Sequence, residues 1–437
     1  MTDCTRPDIP FPSCKRRKID TAFDGGHVTG DAGVLLLRQV ERRIRLISQV
    51  ARAIGDPRRV NSCTHPFESV LRQRIFAIAQ GYEDLNDHQT LRNDPVMQTA
   101  VERDEQLASP SVLCRLENRT DKRWFWAVQY ILIDQFIAAH KRVPKEVILD
   151  FDATDDPVHG RQEHRYFHGY YDHYCFLPLY VFSGQHLLSA YLRPSNIDGA
   201  KHAGAMLAVI TRRLRKVWPR VRIVFRGDSG FCRDRVLRWC ERNRVHYVVG
   251  IARNNRLEQE AAPQMQRAKE RYEKTKQAQR IFSNFYYAAG TWENERRVIA
   301  KSEYLPKGPN PRFIVTNMRL ASDRLYEKLY CARGDMENRI KEQQLDLFAD
   351  RTSCHSWWPN QWRLLLASLA YVLLSELRRV GLRSTHMARA QCGTIRLKLL
   401  KIGAVVIRNT RRVRLLMSSA YPEQPLFWLV AKRLAPD

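Results

Sequence analysis

The chain has 437 residues, with 73 Lys and Arg against 46 Asp and Glu, giving a formal net charge of +27. Hydrophobic residues make up 44 %, enough for a substantial core and two or three domains, which excludes a disordered basic tail. A charge excess of this size makes an acidic polymer, nucleic acid above all, the expected partner.

Residues 1–25 read as a flexible basic arm with its charge at Lys15, Arg16, Arg17 and Lys18. The start of the chain, MTDCTRPDIPFPSCKRRKID, has no apolar signal region. GGHVTGDAG (Gly25 to Gly33) lacks the Lys-Ser/Thr of a phosphate-binding loop and reads as a turn before a helix. Residues 26–142 are expected to be a helical N-terminal DNA-binding region. Leu37, Val40, Ile44, Ile47 and Ala51 recur at helical spacing, with arginines filling the other face. Further helices are expected from Pro66 to Gln80 and from Lys122 to His140.

At Val143 the pattern changes. VPKEVILDFDATDD is a buried-strand run that ends in carboxylates, and Phe176 to Gly184 and Leu187 to Pro194 read as two further strands. A helix from Asp198 to Trp218, the strand VRIVFRGD, a helix from Asp234 to Arg242 and the strand VHYVVGIA follow, so residues 143–254 form the first part of a mixed α/β sheet domain. Residues 255–310 read as an inserted subdomain, a charged helix followed by a β-hairpin. Residues 311–380 return to the sheet with RFIVTNM, then carry a helix with Glu337 and a long apolar helix (Trp362 to Arg379). Residues 381–437 mix Arg396, Lys398, Lys401, Arg408, Arg411, Arg412 and Arg414 with apolar positions and read as a second basic surface. The longest largely apolar run, Leu364 to Leu374, is shorter than the ~18 residues a bilayer span takes, so no membrane partner is expected. None of the ten cysteines forms a C-x-x-C pair, which points to reduced thiols and a cytoplasmic protein.

Three acids stand in well-formed contexts: Asp152 and Asp228 after predicted strands and Glu337 on a predicted helix. Carboxylates held close together repel one another, and a divalent cation relieves that cost. On a basic chain such a trio points to metal-dependent chemistry on a polyanion. Asp150 alternates with Asp152 and rivals it as a ligand, with the Asp-x-Thr pattern favouring Asp152. Asp155 and Asp156 either support Asp152 or face solvent. His159, His164, His168 and His173 crowd the next segment without a Cys pair, which reads as a surface loop beside the polymer channel and not as a zinc site.

Taken together, DFDATDDPVHG, FRGDSGF and YCARGDMENRIKEQQLD resemble the signature blocks of DDE transposases of bacterial insertion sequences, in particular the insertion sequence 1380 family. The resemblance implies a ribonuclease H-like catalytic fold with a β-rich insertion before the glutamate. It implies a catalytic and metal-binding triad of Asp152, Asp228 and Glu337 that uses Mg²⁺, with Mn²⁺ as a substitute. It implies cutting and strand transfer at the terminal inverted repeats of double-stranded DNA and into target DNA, by a dimer assembled on that DNA. Related enzymes place a Tyr, an Arg and a later Lys around the Glu. Tyr330 and Arg333 match the first two, while the third position is Gln344, leaving Lys341 as a substitute phosphate contact. Trp292 either stacks on a base or packs the hairpin. The rival readings are a nuclease of the same fold that cuts without joining and a catalytically inactive DNA-binding regulator.

Overall fold

A nine-stranded mixed sheet forms the centre of the chain. The structure is a computed structural model and describes residues 11–59 and 63–435. The strands are β1 (Glu146–Ala153), β2 (Leu179–Ser183), β3 (His186–Tyr191), β4 (Arg222–Gly227), β5 (His246–Ile251), β6 (Gln279–Tyr287), β7 (Arg296–Leu305), β8 (Gly308–Pro309) and β9 (Arg312–Thr316). Their order across the sheet is β6-β7-β9-β5-β4-β1-β2-β3, with β8 paired to β7. β1, β2 and β3 form an antiparallel meander, and β4 and β5 add parallel to β1. The hairpin of residues 279–305 pairs with β9, so it extends the same sheet and forms no sheet of its own. The inner strands carry buried runs such as Ile223, Val224 and Phe225, as strands covered on both faces require.

The strand expected from Phe176 to Gly184 starts later, and Phe176 ends a different one. His173–Phe176 pairs with Tyr166–His168 in a small separate sheet, and β2 begins only at Leu179. Pro178, which has no N–H to give a ladder, lies between them.

The first amphipathic run is two helices, α1 (Val34–Ile44) and α2 (Leu46–Ile54). Arg45 takes a left-handed conformation between them, at φ 52°. The Glu41 carboxylate accepts from the N–H groups of Ile47 (2.9 Å) and Ser48 (3.1 Å), so a side chain from the first helix caps the second. α3 (Phe67–Gln80) and α4 (Lys122–Ala138) lie within about two residues of the expected limits. α5 (Ala203–Val217), α6 (Asp234–Arg242) and α7 (Asn255–Thr275) follow in the sheet region. Next come α8 (Gly334–Lys341) and α9 (Trp357–Glu376).

α9 is buried almost all round and joins the N-terminal helices to the sheet. Its Trp362 meets Trp124 of α4 edge-on at 4.8 Å, and Trp124 in turn meets Phe67 of α3 at 5.7 Å. No helix among the described residues is long and apolar enough to cross a membrane.

The two ends of the chain pack on each other. Val28–Thr29 pairs with the strand Ala404–Asn409, which pairs in turn with Arg412–Met417. The closing helix α10 (Gln424–Leu434) buries Leu426, Phe427, Val430 and Leu434. The glycine-rich segment before α1 serves this contact: a Cβ on Gly33 would fall 1.9 Å from the Leu399 carbonyl oxygen. Of the seven basic residues expected to form a C-terminal surface, three are engaged internally and Lys398 approaches Glu423 at 3.8 Å from an exposed position. Arg396 donates to the Ala79 carbonyl (3.0 Å), Arg408 to that of Pro95 (2.8 Å), and Lys401 pairs with Asp31 (2.7 Å). Arg411, Arg412 and Arg414 remain exposed on the hairpin. At the other end, Phe11–Cys14 and Arg17–Ile19 form an exposed antiparallel pair, and the first ten residues of the expected arm lie outside the described residues.

Candidate active site

The ends of two parallel strands carry the key charges. On β1 and β4, Asp150 lies opposite Arg226 and Phe151 opposite Gly227. Side chains alternate along a strand, so Asp150 and Asp152 share one face. Asp150 is closed off: the Arg226 guanidinium holds both its oxygens, one at 2.7 Å from Nη2, and Arg226 also donates to the Leu329 carbonyl. One residue beyond β4, Asp228 opens a 3₁₀ turn (Ser229–Phe231), and its Oδ1 accepts from the Gly230 N–H at 2.8 Å. Phe231 in that turn packs on Phe225 and Phe151, which fixes the turn to both strands.

Glu337 faces the same cleft from α8. Arg333, one turn earlier, bridges the two elements: Nη2 donates to Glu337 Oε1 at 3.0 Å, and Nη1 lies 3.6 Å from Asp152 Oδ1. The Asp152 carboxyl is pushed up to about 7, first by burial, with Asp228 and Glu337 adding repulsion and Arg333 opposing it. Asp228 and Glu337 therefore both lie within electrostatic reach of Asp152. Glu337 keeps half of its side-chain surface exposed (51 %), whereas Asp152 keeps 15 %.

Tyr330 is partly buried behind Asp228. Burial raises its phenol, Arg333 opposes the shift, and Asp228 adds to it. Its ring lies against Tyr326 at 5.6 Å. Gly250 on β5 makes room for it, since a Cβ there would stand 2.6 Å from the Tyr330 hydroxyl and 2.9 Å from the Ser229 nitrogen. A hollow beside Asp228 is lined by Ser229, Gly250, Arg253, Arg312, Tyr326 and Tyr330. Sequence reasoning passed over Arg253, Arg312 and Tyr326. The available signal was that Arg253 follows β5, the strand next to the one leading to Asp228.

The other expected contacts are placed differently. Gln344 donates to the Asp155 carbonyl at 2.9 Å, tying the segment after α8 to the end of β1. Lys341 is exposed at the last residue of α8 and forms no ion pair among the described residues. Trp292 is partly buried in the β6–β7 turn, edge-on to Tyr287 (5.8 Å) and with Arg296 over its ring (5.0 Å). Those contacts join it to the hairpin and not to the carboxylates. Asp155 accepts from or pairs with His173 (Nε2 to Oδ2, 2.9 Å), and Asp156 is fully buried, with burial first and Asp350 second raising its carboxyl.

Among the described residues, no three Asp, Glu, His or Cys side chains converge closely enough to hold a metal ion. The donor set nevertheless suits a hard divalent cation: three carboxylates, one of them costly to ionise beside the other two, around a single guanidinium.

The family described as "Transposase DDE domain group 1" matches residues 11–437. No curated protein shows a significant match to the sequence. A solved structure of piggyBac transposase in a synaptic complex with hairpin DNA is similar over 85 % of this chain and 79 % of that chain, at 9 % identity and a TM-score of 0.44.

Proposed function

The chain belongs to the DDE transposase family, and from that premise we propose that it cuts and joins the inverted-repeat ends of a bacterial insertion sequence of the 1380 type. The observation that carries this reading is Arg333, which reaches Glu337 at 3.0 Å and Asp152 at 3.6 Å, with Asp228 close enough to Asp152 to repel its charge. The strand order β3-β2-β1-β4-β5, an antiparallel meander with two parallel strands added, supports a ribonuclease H-like catalytic core. On this reading residues 143–254 and 311–380 form that core. Residues 26–142 and 381–437 bind DNA, residues 255–310 serve as the insertion, and the protein works in the cytoplasm on nucleoid DNA.

Asp152, Asp228 and Glu337 would hold Mg²⁺, or Mn²⁺ in its place, which when bound activates a water and offsets charge on the departing oxygen. Arg333 exchanges its carboxylate partners for a phosphate oxygen, for which its planar fork is well shaped. Tyr330, anchored behind Asp228, donates its hydroxyl to the same phosphate. Lys341 adds a more distant phosphate contact. Hydrolysis forms one P–O bond, breaks another and frees a 3′-hydroxyl, which then attacks target DNA in the same cleft. Two ends must be cut together, so the DNA-bound form is a dimer.

The test uses purified wild type and Glu337→Gln on labelled DNA carrying the element's terminal repeat, with Mg²⁺ or EDTA. Nicking at the repeat boundary by wild type only, and only with metal, is the expected result. Equal nicking by Glu337→Gln would remove Glu337 from the site. Binding without nicking under every condition would leave an end-binding regulator, and nicking without joining of precleaved ends would leave a nuclease.

A further inference from the structure

The segment after Asp152 exposes aromatic side chains where a chain of this charge has little reason to. Tyr166–His168 and His173–Phe176 form an antiparallel hairpin. Tyr166, Phe167, Tyr170 and Tyr174 are 39, 53, 84 and 47 % exposed. Phe167 and Tyr174 lie opposite each other across the two strands, edge-on at 5.7 Å, and Arg165 covers the Tyr174 ring at 4.6 Å. At the tip, Tyr170 and Tyr171 meet edge-on at 5.0 Å.

The base of this hairpin is rigid. Cys175 and Phe176 are fully buried, Phe176 pairs with Asp156, and the Ser195 hydroxyl donates to the Tyr166 carbonyl at 2.9 Å. A fixed base with an exposed aromatic end is a presented surface, because a packing hairpin would turn those rings inward.

The position of the hairpin identifies its partner. His173 is held by Asp155 at 2.9 Å, three residues beyond Asp152, and Tyr171 lies close enough to Asp155 and Asp152 to feel both charges. The hairpin therefore borders the carboxylate cleft on the Asp152 side. Aromatic faces flanked by arginine suit unpaired nucleobases, which stack on rings without regard to sequence. In paired duplex DNA those faces are already covered by neighbouring bases.

We propose that the hairpin of residues 165–176 stacks on unpaired bases next to the scissile phosphate and so favours DNA that has opened at the cleavage point. This rests on the reading of the chain as a DNA-cutting transposase.

Binding is measured with the full chain carrying Asp152→Asn, so that no DNA is cut. The probes are a fully paired duplex and a fork of the same length whose unpaired arm carries 2-aminopurine. The expected result is tighter binding to the fork, with quenching of the probe. Tyr170→Ala and Tyr174→Ala should each weaken fork binding by about 5- to 100-fold and change duplex binding by less than about two-fold. Tyr170→Phe, which keeps the ring, should behave like its parent. Equal affinity for fork and duplex, or equal losses on both, would overturn the proposal. A fall in molecular mass by light scattering with fork preference unchanged would also overturn it and assign the hairpin to contact with a second copy. Failure to bind either DNA would overturn the transposase reading itself, and this proposal with it.

Discussion

Asp150 and Asp152 share one strand face, yet their surroundings differ sharply. Asp150 lies opposite Arg226 and is held by it at both oxygens. Asp152, two residues on, has Asp228 for a neighbour and only a 3.6 Å approach from Arg333. The same contrast recurs in the helical segment that follows. Glu337 is half exposed and shares Arg333 with the cleft. Glu342, five residues later, is buried and takes Arg339 (2.5 Å), Arg378 (2.9 Å) and the Cys392 N–H (3.0 Å). Burial alone does not separate the two kinds, since Asp152 and Asp150 are both largely enclosed. What separates them is whether cations of the chain hold both carboxylate oxygens, as for Asp150 and Glu342, or at most one, as Arg333 does for Glu337. A satisfied acid supports the fold, and an unsatisfied one is free to hold something else.

Removing charge from each aspartate is the strongest way to break this contrast. Asp152→Asn should lower cleavage by about 10³-fold, as losing a group that organises transition-state charge does. It should not lower stability, because burial and two neighbouring acids already disfavour the charge. Asp150→Asn should show the reverse emphasis, since it leaves Arg226 without its ionic partner inside the sheet. Cleavage assays and urea unfolding on both variants check this, and a destabilised Asp152→Asn would end the distinction.

Next in size is the pair in the helical segment. Glu342→Gln should cost at least about 3 kcal/mol, because two buried arginines lose their common counter-charge. Glu337→Gln should stay within about 0.5 kcal/mol of wild type, as an exposed position does. Equal losses in urea midpoints would mean that Glu337 is as structural as Glu342.

Much of the site was legible because short-range rules govern it. A hydrophobic strand that ends in carboxylates can be read from VILDFD and IVFRGD, and helical spacing relates Arg333 to Glu337. The choice between Asp150 and Asp152 needed one more step. Placing D-x-D and R-x-D side by side in register pairs Asp150 with Arg226, and Asp228, one residue past the paired strand, comes close enough to repel Asp152. That register is a tertiary fact, set by how two parallel strands dock across an intervening meander and helix. The same limit applies to Val28–Thr29, which is two residues long and exists as a strand only because Ala404–Asn409 lies beside it. The break at Arg45 was hidden for a different reason. Apolar spacing continues across it, and the cap that permits it is a Glu side chain that reads as ordinary helix surface.

A steric probe sharpens the cleft side of the comparison. Gly250→Ala would place a methyl group 2.6 Å from the Tyr330 hydroxyl and 2.9 Å from the Ser229 nitrogen, in the turn that sets Asp228. The expected stability cost is about 2 kcal/mol, the scale of overpacking. Cleavage should fall further than that loss explains, because Tyr330 and Asp228 both shift. Adding Tyr330→Phe, which removes the obstructing oxygen, should recover part of the stability. Thermal melts of the single and double variants check this, and no recovery would place the clash on the backbone alone.

The smallest effect extends the contrast to a partly buried group that is not an acid. His186 opens β3 among Phe136, His140 and Trp218, with the Phe136 ring 5.3 Å away. Burial pulls its imidazole down to about 4, and His140 and Arg379 add repulsion. Above pH ~6.5 the residue is neutral both folded and unfolded and contributes nothing to pH dependence. As pH falls below that, the unfolded chain takes a proton that the folded chain refuses until near pH 4, so stability drops across that window. At pH 5.5 the loss from this one residue should be about 1.4 kcal/mol. His186→Phe should therefore lose less stability than wild type between pH 7.5 and 5.5, by about that amount, in urea unfolding at the two pH values. An unchanged difference would mean that His186 is protonated inside the fold, and that a partly buried cation can be tolerated here without the carboxylate partner that Arg226 requires.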